Sequence, residues 1–129
     1  MREEIQAMAK KVLIVDDSVT MRQQLRLLLE SDGFEVAEAE DGLKGFATAR
    51  AGNFDLLIVD VNMPRMNGLT AVAAIRKIPH YAKTPIFILT TESTSGVIEQ
   101  GKRAGATAWI VKPYEPKSLL DGINKVLGQ

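Results

Sequence analysis

The sequence has no cysteine, so neither a disulfide framework nor a thiolate-bound metal is available to it. That absence fits a reducing cytoplasm, the compartment expected here. Histidine is almost absent as well. The single one, His80, follows Pro79 in a loop, where a solvated side chain outweighs a phosphorylated intermediate. Long apolar runs are missing: Leu56–Val59 and Ile86–Leu89 fall far short of the roughly 20 residues a membrane helix needs, so membrane insertion is not expected. Met1 to Lys10 lacks the apolar centre of a signal peptide. Neither charge sign is in excess, because 16 basic residues balance 16 acidic ones, and nothing in bulk charge argues for nucleic acid. There is no glycine-rich ATP-binding loop. No internal repeat or low-complexity tract is visible.

What is present suits one globular domain. The 129 residues are 46% hydrophobic and 25% charged, ordinary values for such a unit. Residues 1–9 are expected to be a flexible N-terminal extension, or the trace of a misplaced start before Met8, and 10–129 the domain. Four short apolar runs, Val12–Val15, Leu56–Val59, Ile86–Leu89 and Trp109–Val111, read as strands buried on both faces, the habit of a parallel sheet. Phe34–Ala39 mixes apolar residues with Glu35 and Glu38 and suits an edge strand.

Helical spacing fills the gaps. Met21, Leu25, Leu28 and Leu29 follow Ser18, a candidate N-cap, and stop at Gly33. Leu43 to Ala51 is a second helix. A third carries Leu69, Val72, Ile75 and Ile78 and is closed by Pro79. Ser93 to Ala104 is a fourth despite Gly96 and Gly101, each costing about 1 kcal/mol relative to alanine. Leu119, Leu120, Ile123 and Val126 mark the last, entered after Pro116. Strict alternation of this kind predicts a doubly wound α/β fold with five parallel strands and helices on both faces. In such sheets ligands bind outside the carboxyl ends of the strands.

Those ends carry a short set of residues: Asp16-Asp17, Asp60, Thr90-Thr91 and Lys112-Pro113. Three clustered carboxylates repel one another unless a cation sits among them. A hard divalent ion answers that need, Mg²⁺ or alternatively Mn²⁺. A carboxylate beside such an ion is a nucleophile toward phosphoryl groups. Thr90 and Lys112 would supply a hydrogen bond and a positive charge for the phosphoryl oxygens. Each feature alone has a bland reading: helix capping for Asp16-Asp17 and Thr90-Thr91, a turn for Asp60, a solvated side chain for Lys112. The coincidence at four strand ends is what favours chemistry.

The strings VLIVDDS, LLIVDVNMPRMNG, FILTTES and AGATAWIVKP, in this order, resemble the signature segments of response-regulator receiver domains, and the resemblance runs from about Lys11 to Leu127. It implies a flavodoxin-like sheet of order 2-1-3-4-5. It implies Asp60 as phosphoacceptor, with Thr90 and Lys112 assisting the transfer. Asp17, Asp60 and the backbone carbonyl of Asn62 would bind Mg²⁺, Asp16 would act through water, and the Lys112-Pro113 bond would be cis. Thr90 and Trp109 would form the switch pair, and Asn62, Thr91 and Glu92 would tune the decay of the phosphorylated state. Two positions depart from the family's habit: Thr91 stands where small residues are usual, and Trp109 where Tyr or Phe is usual.

The function this implies is a stand-alone, monomeric signalling domain rather than an enzyme with a separate substrate. A histidine kinase would donate the phosphoryl group, and the phosphorylated form would bind a target such as a flagellar motor switch protein in chemotaxis. The alternative is a phosphorelay carrier serving a histidine phosphotransfer protein. A phosphatase is disfavoured because Asn62 stands where an acid/base carboxylate would be needed, and a metal-free module is disfavoured by the intact acidic set. Remaining residues take structural readings: Gly68 relaxing a turn, Pro64 stiffening a loop, Met63 and Met66 packing, Lys102 and Arg103 lining a solvated helix face.

Overall fold

The computed structural model describes residues 9–129, so all of the expected extension except Ala9 lies outside the described residues. Five strands, β1 (Lys11–Val15), β2 (Glu35–Ala39), β3 (Leu56–Val59), β4 (Ile86–Thr90) and β5 (Ala108–Val111), form one parallel sheet in the order β2-β1-β3-β4-β5. The helices are α1 (Val19–Ser31), α2 (Gly42–Ala51), α3 (Gly68–Arg76), α4 (Ser95–Ala104) and α5 (Pro116–Val126). This is the doubly wound arrangement expected from the alternation of patterns. Among the described residues no helix is long and apolar enough to cross a membrane.

Alternation along each inner strand divides the core in two. Leu13, Val15, Leu57, Val59, Ile86 and Ile88 face one side, where Ala49 of α2 and Val72 and Ile75 of α3 cover them. Val12, Ile14, Leu56, Ile58, Phe87 and Leu89 face the other, under Leu25 and Leu29 of α1 and Leu119 and Ile123 of α5. The edge at β2 is as expected. The reading of Trp109–Val111 as buried on both faces is not: β5 is the opposite edge, its residues are half-buried, and Val111 is 41% exposed.

Helix ends follow local chemistry. The Ser18 hydroxyl accepts from the Met21 N–H at 3.2 Å, and Gly33, at φ +90°, turns the chain away after α1. Helix α3 stops at Arg76, short of Ile78, because Pro79 opens a 3₁₀ turn, Pro79–Tyr81, that periodicity did not reveal. Tyr81 is fully buried there, and its hydroxyl donates to the carbonyls of Ala49 and Gly52 at 2.6 and 2.9 Å. Helix α4 forms with both of its glycines. At Gly101 a Cβ would stand 2.6 Å from the Trp109 ring, so the missing side chain is what seats the indole.

The sheet ladder continues past the strand ends: Asp16 N–H donates to Ala39 O, Asp60 N–H to Val15 O and Lys112 N–H to Thr90 O. These bonds bring the polar residues after β1, β3 and β5 to one end of the sheet. Gly68 is not a relaxed turn residue but a point of close approach, where a Cβ would lie 1.9 Å from the Asp60 carbonyl oxygen. Gly68→Ala should therefore cost about 3 kcal/mol or more in urea unfolding, because backbone must move to admit the methyl group. Gly96→Ala meets nothing within 4 Å and should stabilise by about 0.4–1 kcal/mol through the unfolded chain.

Candidate functional site

The Asp16 side chain is fixed at both oxygens. Oδ1 accepts from the Ser18 N–H at 2.9 Å and Oδ2 from Lys112 Nζ at 2.9 Å. Asp60 is buried at the end of β3, with Oδ1 accepting from the Val61 N–H at 2.8 Å and Oδ2 3.7 Å from Lys112 Nζ. Asp17 is exposed beside them. One oxygen from each of Asp16, Asp17 and Asp60 lies within 4.8 Å of the others. Lys112 reaches the cluster from β5, next to the Lys112-Pro113 bond, which is cis.

Burial raises the Asp60 carboxyl above the ordinary carboxylate range. The Thr90 hydroxyl and the Lys112 ammonium pull the other way, and Asp16 adds repulsion. Among the described residues, the Lys112 ammonium is paired with two of the three carboxylates in the cluster. The donor set is all oxygen, compact and short of positive charge, which fits a hard divalent cation that retains some of its waters. With such an ion bound, the anionic cluster could admit an incoming phosphoryl group instead of repelling it.

Thr90 is fully buried at the end of β4, and its hydroxyl accepts from the Glu92 N–H at 3.4 Å. Asn62 and Glu92, both expected to tune the decay of the phosphorylated state, are brought to each other: Asn62 Nδ2 donates to Glu92 Oε1 at 2.9 Å. Thr91, the residue between the end of β4 and Glu92 in the chain, is exposed. Trp109 Nε1 donates to the Glu92 carbonyl at 2.9 Å, so Glu92 bonds to β5 through its backbone and to the loop after β3 through its side chain. Met63 packs against the core and His80 is exposed, its Nε2 3.3 Å from Gly52 O. Lys102 and Arg103 are exposed on α4.

Sequence reasoning missed Arg22. Its Nη1 donates to the Asp16 carbonyl at 2.6 Å and its Nε to Glu38 Oε1 at 2.9 Å, while Arg26 Nε takes the other Glu38 oxygen at 2.6 Å. Burial raises the Glu38 carboxyl, but the hydrogen bonds from Arg26 and Arg22 outweigh it and leave the group below its usual range. The pairing joins α1 to β2 across 16 residues, and no local pattern announces it.

The Asp60 shift has a consequence for stability. Its folded pKa is raised, so the stability it contributes is fully present below the ordinary aspartate value and is lost as pH rises through the folded value. At neutral pH, with a chelator present, Asp60→Asn should therefore melt higher than wild type. The difference should disappear when both are melted near pH 3. A variant that melts lower at neutral pH would contradict the burial argument.

The model of the response regulator receiver domain matches residues 12–124. Protein PilH of Pseudomonas aeruginosa is 38% identical over 117 residues, covering 91% of this chain and 97% of that protein. The structure of chemotaxis protein CheY4 of Vibrio cholerae is similar with a TM-score of 0.87 and 44% identity, over 92% of this chain and 98% of that one. The CheY structure in a CheX-CheY-BeF3-Mg²⁺ complex from Borrelia burgdorferi is similar with a TM-score of 0.84 and 28% identity, over 91% and 88%. Matched along nearly its whole described length, this chain belongs to the response regulator receiver domain family.

Proposed function

We propose that the chain is a phosphorylation-driven signalling receiver, spanning residues 10–129, in which Asp60 accepts the phosphoryl group. The observation that carries this reading is the placement of a buried Asp60 carboxylate within 4.8 Å of the Asp16 and Asp17 oxygens and 3.7 Å from the Lys112 ammonium. Mg²⁺ would be held by Asp17, Asp60 and the Asn62 carbonyl, with Asp16 acting through water, and would offset repulsion between the carboxylates and an anionic donor. An Asp60 carboxylate oxygen attacks phosphorus, the bond from phosphorus to the donor breaks, and the donor leaves with that electron pair. Lys112 and the Thr90 hydroxyl take up charge on the phosphoryl oxygens. The donor is a histidine kinase and the setting is the cytoplasm.

The product signals by partner binding rather than by turnover of a further substrate. Chemotaxis is the favoured pathway, with a flagellar motor switch protein as the target of a monomeric regulator. The similarity to CheY proteins over more than nine-tenths of the chain supports it. Thr90 moving toward the phosphoryl group would shift the Trp109 ring and with it the surface of α4, β5 and α5.

Incubation with acetyl phosphate and Mg²⁺ should give a single phosphoryl adduct by intact mass. It should be absent in Asp60→Asn and absent when the metal is chelated. An adduct of full stoichiometry on Asp60→Asn would remove the assignment. Decay of the adduct should be faster in Thr91→Ala, which opens room for water, and slower in Asn62→Arg, which removes the amide beside Glu92. The opposite order in a rapid-quench mass measurement would show that these residues do not line the water path.

A further inference from the structure

We infer that Arg22 is a positioning residue for the metal site, setting the direction of Asp17 through the backbone it grips. The inference rests on the proposed binding of Mg²⁺ by Asp17 and Asp60. Asp16 and Asp60 have protein groups on their carboxylates, whereas Asp17 is exposed and takes its direction from the main chain. The peptide that links Asp16 to Asp17 carries the Asp16 carbonyl, and this is the atom that Arg22 Nη1 holds at 2.6 Å. A change in the orientation of that peptide would alter the backbone from which the Asp17 side chain projects.

The guanidinium is itself rigidly mounted. Its side chain is only 13% exposed, and its Nε is tied to Glu38 on β2, which Arg26 also holds. Glu38 sits in the register Ile14↔Glu38, so the clamp is anchored to the strand beside β1. A planar fork can meet the carbonyl and the carboxylate together, which an ammonium cannot do in the same geometry. Groups that orient a metal's ligands without touching the ion typically matter by 10–100-fold in affinity.

Charge alone predicts the reverse effect. Removing a cation near an acidic cluster should tighten binding of a divalent ion, so the sign of the change separates positioning from electrostatics. Mg²⁺ is titrated calorimetrically into metal-free wild type, Arg22→Gln, Arg22→Lys and Arg26→Gln, with the melting temperature of each recorded. Arg22→Gln should bind Mg²⁺ about tenfold more weakly. Arg22→Lys should also be weakened although its charge is kept, and Arg26→Gln, which leaves the Asp16 carbonyl bond in place, should bind like wild type. If Arg22→Gln fails to fold, Arg22→Lys carries the reading by itself, because it keeps the charge and loses the planar fork. Equal or tighter Mg²⁺ binding by Arg22→Gln, with a melting temperature lowered as in Arg26→Gln, would reduce Arg22 to a structural tie and overturn the inference. Wild type that binds no Mg²⁺ would overturn the metal reading itself, and this inference with it.

Discussion

The carboxylates of Asp16, Asp17 and Asp60 are drawn together at one end of the sheet against their mutual repulsion, and most other features of that end serve this placement. Water would screen such charges, but Asp16 and Asp60 are buried and the Asp60 carboxyl is accordingly raised. The Lys112 ammonium relieves part of the repulsion and lies closer to Asp16 than to Asp60. The ladder bonds after β1, β3 and β5 fix the backbone from which these side chains project. Gly68 lets α3 begin against the Asp60 carbonyl, so the first turn of that helix buttresses the end of β3. A site built this way has its charge imbalance in place before any cation arrives, and a bound ion would gain from the relief.

Trp109 connects this end of the sheet to the outer face. Its indole lies over Gly101 of α4 and its N–H bonds the carbonyl of Glu92, whose carboxylate bonds Asn62 in turn. A path of direct contacts therefore runs from the edge strand to the loop after Asp60. A phenol or phenyl ring would reach the Glu92 carbonyl differently or not at all, and an alanine at 101 would leave the indole no seat. Under the proposed function this path joins the phosphorylated site to the surface a partner reads.

Much of the fold was legible because inner strands of a parallel sheet are short, apolar and bounded by turns. Val12–Val15 and Leu56–Val59 announce themselves, and the residues just after them form the site. Asp16, Asp17, Asp60, Thr90 and Lys112 came from the strand-end rule, and the geometry brings them together. The rest was illegible for physical reasons. Trp109–Val111 has the composition of a buried strand, but position at an edge depends on the whole sheet. The 3₁₀ turn at Pro79–Tyr81 is too short to have a period. The Arg22–Glu38 clamp and the Asn62–Glu92 bond link side chains far apart in the chain, each polar residue having many candidate partners until the backbone is placed. Gly68 was recognisable as special, but whether a glycine is needed for a turn or for a close approach is decided by what lies opposite it.

The account turns on Asp60 being the acceptor and Lys112 following the charge placed there. A crystal structure of the protein with beryllofluoride and Mg²⁺ tests both at once, because the fluoride adduct imitates a phosphoryl group on a carboxylate. The account predicts beryllium bonded to an Asp60 carboxylate oxygen, the metal against Asp17 and Asp60, and Lys112 Nζ moved from its 2.9 Å contact with Asp16 onto a fluorine. An adduct on another carboxylate, or Lys112 still bound to Asp16 beside a loaded Asp60, would contradict it.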